Sequence, residues 1–142
     1  MSSKKPAIKE LTSAWAGRSW DARYLAYFDC FNRQQYYEAH DVLEDLWLER
    51  RGSTEANFYK ALIQLAGAFV HLQKGRSGPA AALLRLAAGY LRTYPNDMRG
   101  LHLPAVLRLM EQWRAFAEQA ADPQSPMPPP PQLPWPEGSP ES

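Results

Sequence analysis

From Trp20 onward the apolar residues recur at steps of three and four: Trp20, Tyr24, Tyr27, Phe28 and Phe31. That spacing places them on one face of a helix. The period breaks at "FNRQQ", where Asn32 can turn the chain or cap the next helix. A second helix is predicted from about Gln34 to Arg50, stopped by Gly52. A third runs from about Glu55 to Lys74, with Ser53 or Thr54 as its cap and Gly75 at its end. "RSGPAAALLRLAAGYLRTYP" makes a fourth, with Pro79 in the first turn and Pro95 closing it. A fifth extends from about Pro104 to Ala121 and carries Leu107, Met110, Trp113 and Ala117 on one face.

No strand-like alternation competes with these helices, and the connections are short, so neighbours should run antiparallel. The expected fold is all-α: one compact bundle of about five antiparallel helices over residues 19–121. Residues 1–18 are polar and unpatterned, and are expected to be loose or docked at the periphery. Residues 122–142 hold most of the 13 prolines and should form an extended, polyproline-like tail. Solvation is the first reading of that tail; a strap folded back by Leu133 and Trp135, or a ligand for a proline-recognising groove, is the second. "QQYYEAHDVLEDLW" resembles part of a tetratricopeptide hairpin, but no second copy occurs at a fixed spacing, so a repeat array is not expected.

Composition narrows the function classes. Among 142 residues, 45% are hydrophobic and 22% charged, with a net charge of +1. That is an ordinary globular balance with no basic footprint for nucleic acid or an anionic membrane. "ALIQLAGAFVHL" is the most apolar run, yet it is shorter than the roughly 20 residues a membrane span needs and contains Gln64 and His71. The start "MSSKKPAIKELTSAWAG" lacks the apolar core of a signal peptide, so the expected location is the cytoplasm. The single cysteine, Cys30, excludes an internal disulfide and reads as a small apolar helix residue.

The candidate chemistry lies on the second helix. At roughly 100° per residue, Tyr36, Ala39, Val42, Leu43, Leu46 and Trp47 fill one apolar arc, while Glu38, Asp41, Asp45 and Glu49 fill the solvent-facing one. His40 and Glu44 fall between the arcs on adjacent turns, where a carboxylate beside an imidazole avoids an unpaired, desolvated charge. The third helix is apolar almost all round and should be central; its one polar stripe is Lys60, Gln64, Gly67 and His71. A hairpin about Gly52-Ser53 would bring Ala61 to Leu65 opposite His40 and Glu44, within reach of Gln64. His71 would then lie about 9 Å further along the axis, too far to share an ion comfortably. Tyr37, Trp47 and Tyr59 complete the expected walls. Three readings stay open: a metal site on His40 and Glu44, an acid–base pair, or a structural or ligand-orienting polar network. No P-loop, dinucleotide fingerprint or nucleophile elbow is present.

"FNRQQYYEAHDVLEDLW" and "FYKALIQLAGAFVHLQKG" together resemble the family called domain of unknown function 309. The shared pattern falls on Phe31, Asn32, Tyr36, Ala39, His40, Leu43, Glu44 and Trp47, then on Leu62, Ile63, Gln64, Leu65, Ala66 and His71. "TYP" and "GLHLP" extend the likeness, which covers roughly residues 24–115. Where the family pattern has glycine, this chain has Gln34 and Ala61, which implies a different turn at the first and a looser helix approach at the second. The resemblance implies a helical bundle with no assigned activity and a cluster in which His40, Glu44, Trp47, Gln64 and His71 act together.

These observations lead to an expected binding or scaffold module. His40, Glu44 and Gln64 would orient a small ligand or protein segment, with no cofactor specified, and the many aromatics suggest a homodimer. A metal-binding or acid–base protein centred on His40 and Glu44 is the alternative.

Overall fold

A computed structural model describes residues 4–119 and 127–137 of the chain. The expected end of the last helix near Ala121 and the two ends of the proline-rich segment lie outside these residues. The elements are α1 (Lys4–Thr12), a 3-10 turn (Ser13–Trp15), α2 (Ala22–Asn32), α3 (Tyr36–Arg50), α4 (Ala56–Gln73), α5 (Ser77–Leu91), a two-residue hairpin of β1 (Asp97–Met98) and β2 (Leu101–His102), and α6 (Leu103–Gln119). The fold is all-α. All five expected helices are present, and one more, α1, lies in the segment where the residue pattern predicted no element. Its half-buried Ile8 and Leu11, with the buried Trp15 just beyond them, rest on the main core.

The helix that is apolar on nearly every side is central. α4 packs on α3 and α5; α2 lies against α3, and α6 against α5. Ten residues of α4 are buried, among them Phe58, Leu62, Leu65 and Phe69. Burying that surface removes water from both flanks at once, which a helix with a single apolar stripe cannot do.

The helix ends differ from those the residue pattern predicts. Asp21 caps α2, its carboxylate accepting from the Arg23 backbone N–H at 2.8 Å. Ser53, expected to cap α4, instead donates its hydroxyl to the Arg50 carbonyl at the end of α3, at 2.6 Å. The start of α4 is served by Tyr94, whose hydroxyl accepts from Phe58 N–H at 3.0 Å and donates to the Thr54 carbonyl at 2.7 Å. Gln34, in the α2–α3 turn, has φ of 64°. The turn takes the left-handed conformation that glycine adopts freely, and glutamine carries the strain in it.

Cys30 is buried, and burial foremost pushes its thiol up to about 12. Its thiolate is scarce at neutral pH, so a disulfide-exchange reagent should modify it only as fast as the chain unfolds. Modification at the rate of a free thiol under native conditions would contradict the burial.

Residues 127–137 lie extended along the bundle. Leu133 is buried, and Trp135 packs on Trp15 at a ring-centroid distance of 5.2 Å. Asn32, expected to turn or cap the chain, closes α2 instead. Its side chain treats residue 133 as a strand partner would: Nδ2 donates to the Leu133 carbonyl at 3.0 Å and Oδ1 accepts from Leu133 N–H at 2.7 Å. Further along, Glu137 N–H donates to the Gly100 carbonyl at 2.8 Å, and the Trp20 indole N–H donates to the Glu137 carbonyl at 2.9 Å.

Candidate functional site

The α3–α4 hairpin fixes which residues face each other. Lys60 places its ammonium over the Trp47 ring at 5.8 Å, and an added Cβ on Gly67 would meet the His40 ring at 3.9 Å. His40 therefore lies level with Gly67, not with Ala61 to Leu65 as the residue pattern predicts. That correction shortens the axial step from His40 to His71 to about 6 Å, four residues at 1.5 Å each. Gly67 has no side chain, and the imidazole lies beside its backbone.

His40 Nδ1 lies 3.2 Å from Asp41 Oδ1, so a proton on Nδ1 is donated to that carboxylate. The helical period puts Asp41 on the hydrated face, yet its side chain is only 14% exposed. Adjacent residues on a helix point about 100° apart, and only the rotamers bring this pair together. Glu44 completes the group: one ligand atom from each of His40, Asp41 and Glu44 lies within 4.8 Å of the others. A nitrogen and two carboxylate oxygens at such separations can close on a divalent ion of the zinc or manganese kind with small rotamer changes.

Tyr37 stacks on His40 with ring centroids 6.4 Å apart and is 62% exposed. Trp47 is half-buried, lying against the core instead of within it. Its ring carries two cations, Arg51 at 5.9 Å and Lys60 at 5.8 Å, and Lys60 also lies over Tyr90 of α5 at 5.9 Å. For a fully enclosed ring, Trp47→Ala would cost about 3–5 kcal/mol. At this partly solvated edge the expected loss is about 2 kcal/mol, read from urea unfolding. A loss above about 4 kcal/mol would mean that the ring is enclosed after all.

Tyr59 does not join this group. It packs on Tyr24 and Phe58 and lines a cavity with Arg50 and Leu46 on the α2 side of α3. Its assignment as a wall of the His40 cluster is corrected: it lies on the other apolar flank of α4. Gln64 and His71 do remain on the polar stripe that includes Gly67. Each has an enclosed atom, Gln64 Oε1 and His71 Nδ1, without a hydrogen-bond partner among the described residues. These are the two side-chain atoms of that kind found there.

The fold and this face define an all-α protein with a polar stripe on its central helix pair. Residues 24–83 match the profile of the family described as Domain of unknown function (DUF309), the family that the sequence motifs resemble. The match includes His40, Glu44, Trp47, Gln64 and His71 and stops short of "TYP" and "GLHLP". No curated protein and no solved structure gives a match to the chain. Among the described residues, no helix is long and apolar enough to cross a membrane.

Proposed function

We propose that the chain is a binding or scaffold module whose ligand, a small molecule or a partner segment rich in hydrogen-bond donors, seats on the α3–α4 face. His40, Glu44 and Gln64 orient it, with Tyr37 and Trp47 flanking. The observation that carries this reading is the placement of Gln64 Oε1 and His71 Nδ1 on one polar stripe. Enclosed polar atoms are nearly always paired, because an unmade hydrogen bond costs free energy that nothing returns. Two such atoms on the stripe whose Gly67 borders His40 are accounted for by a ligand that supplies the missing partners.

Gln64→Leu, of similar volume, should then raise stability by about 1–2 kcal/mol in urea unfolding, because it removes the unpaired carbonyl. It should also abolish binding. A fragment screen read by amide chemical shifts tests the second half: hits should move the amides of His40, Gln64 and His71 in the wild type and leave Gln64→Leu unaffected. Hits confined to other parts of the surface would remove the reading. A second copy of the chain is one partner such a face could take, since Tyr37, Leu48 and Leu86 are exposed apolar side chains on α3 and α5. Sedimentation of the wild type against Tyr37→Ser addresses that directly.

A second reading is favoured by the separations within His40, Asp41 and Glu44: a divalent metal, or base chemistry at an imidazole oriented by a carboxylate. It requires a metal-dependent rise in melting temperature that both His40→Ala and Glu44→Gln lose. A cooperatively folded wild type with no response to zinc, manganese, cobalt or nickel removes the metal form of it.

A further inference from the structure

Away from the α3–α4 face, a cavity of about 450 Å³ opens where the segment 17–21, α2, the end of α3 and the β1–β2 turn meet. That volume is within the range that holds small molecules. Trp20, Tyr24 and Tyr59 form its aromatic wall, and three arginines, Arg18, Arg50 and Arg99, line it as well. Like charges gathered around one cavity call for an anion.

The acidic side chains nearby are already committed. Asp21 also lines the cavity, but Arg23 holds its carboxylate through the backbone N–H at 2.8 Å, Nε at 3.0 Å and Nη2 at 2.9 Å. Glu55, nearly enclosed, is shared between Arg50 at 3.6 Å and Arg99 in closer contact. One carboxylate thus serves two guanidiniums, which leaves donors unused. Arg18 has no acidic partner among the described residues.

The backbone sets Arg99 in place. It has φ of 51° and Gly100 has φ of 74°, the pair of left-handed residues that a tight two-residue hairpin turn demands. The Tyr24 hydroxyl donates to the Arg99 carbonyl at 2.9 Å, tying the turn to α2. With its backbone fixed by the turn and its guanidinium held by Glu55, the Arg99 side chain loses little freedom on meeting a ligand. Tyr59 lines the same space, and burial pushes the pKa of its hydroxyl upward, so it stays protonated.

We propose that this cavity binds a small organic anion, a carboxylate or phosphate carried on a flat ring, with the ring against Trp20, Tyr24 and Tyr59 and the anionic group at Arg18, Arg50 and Arg99. Fork-shaped guanidinium donors match both anions, and the aromatic wall supplies stacking area.

Titration calorimetry on the full chain tests it with four probes: phenyl phosphate, benzoate, inorganic phosphate and phenol. Saturable one-to-one binding is expected for at least one ring anion. It should be about tenfold tighter than for inorganic phosphate or phenol, which each lack half of the recognition. The tighter of phenyl phosphate and benzoate identifies the anionic group. Arg18→Gln and Arg50→Gln, both at exposed positions, should each weaken binding about three- to tenfold through loss of one charge-assisted contact, with an unchanged melting temperature for Arg18→Gln and a small decrease for Arg50→Gln, whose partner Glu55 keeps Arg99. The proposal is overturned if neither ring anion binds the folded chain, if both variants bind like the wild type, or if inorganic phosphate and phenol bind as tightly as the ring anions.

Discussion

Phe69→Ala is expected to cost about 4 kcal/mol of folding stability, the largest single-residue loss expected in the bundle. Phe69 is 2% exposed, and its ring meets three others. Trp113 lies 4.8 Å away, Tyr36 stacks at 5.0 Å, and Phe31 stands edge-on at 5.4 Å. Those partners come from α6, α3 and α2, so one side chain of α4 joins four helices. Truncation loses the transfer energy of the ring, leaves a cavity that rigid neighbours cannot fill, and removes oriented aromatic pairs worth about 0.5–1.5 kcal/mol each. Against a total stability of about 5–15 kcal/mol, that loss should bring the urea midpoint down steeply without changing the slope. Phe69→Leu, which fills most of the space, should lose about half as much. A loss below about 2 kcal/mol for the alanine variant would show that the cluster does not join the helices as described.

Gly100→Ala should be the next most damaging, at about 2–4 kcal/mol, and its effect should be local in origin. Two costs add. With φ of 74°, alanine pays the left-handed penalty of about 1–2 kcal/mol. A Cβ would also lie 2.9 Å from the Glu137 backbone nitrogen, 3.0 Å from its carbonyl oxygen and 2.9 Å from Trp20 Cζ2. Backbone cannot yield as a flexible side chain does, so residues 133–137 must lift away. Their departure breaks the bonds from Glu137 N–H and from the Trp20 indole. Gly52 is the control: its φ is 87°, but nothing lies within 4 Å of an added Cβ, so Gly52→Ala pays the conformational cost alone. Faster amide exchange at Leu133 and Glu137 in Gly100→Ala, but not in Gly52→Ala, is the expected signature. Equal effects of the two substitutions would mean that the close approach of Glu137 contributes nothing.

The helical bundle was legible because helices announce themselves locally. The three- and four-residue steps of α2, α3 and α6, the all-round apolarity of α4, and the Gly52 and Gly75 stops each depend on near neighbours in the chain. The features that escaped were made by distant residues. Tyr94 completes the start of α4 from beyond α5, and Asn32 pairs with Leu133 about a hundred positions away. No local pattern encodes either. α1 escaped for another reason: Ile8, Leu11 and Trp15 do recur at steps of three and four, but these three apolar side chains stand in an otherwise polar segment and were too few to be read as a helix.

The candidate face divides in the same way. His40 and Glu44 on adjacent turns of α3, and Gln64, Gly67 and His71 along α4, result from helix geometry. Local pattern is therefore enough to establish that two polar stripes exist and that each borders a buried surface. Which residues meet across them depends on tertiary structure. The α3–α4 connection sets the register, and a shift of two to six residues put Gly67 level with His40. Rotamers on α3 turned Asp41 toward the imidazole, and the second apolar flank of α4 drew Tyr59 to the far side. The cavity around Arg18, Arg50 and Arg99 belongs wholly to this second category, because its residues come from a loop, a helix end and a hairpin turn. Periodicity reports how one helix partitions between water and apolar surroundings; it carries no information on the interhelical register and side-chain torsions that bring groups from separate elements together.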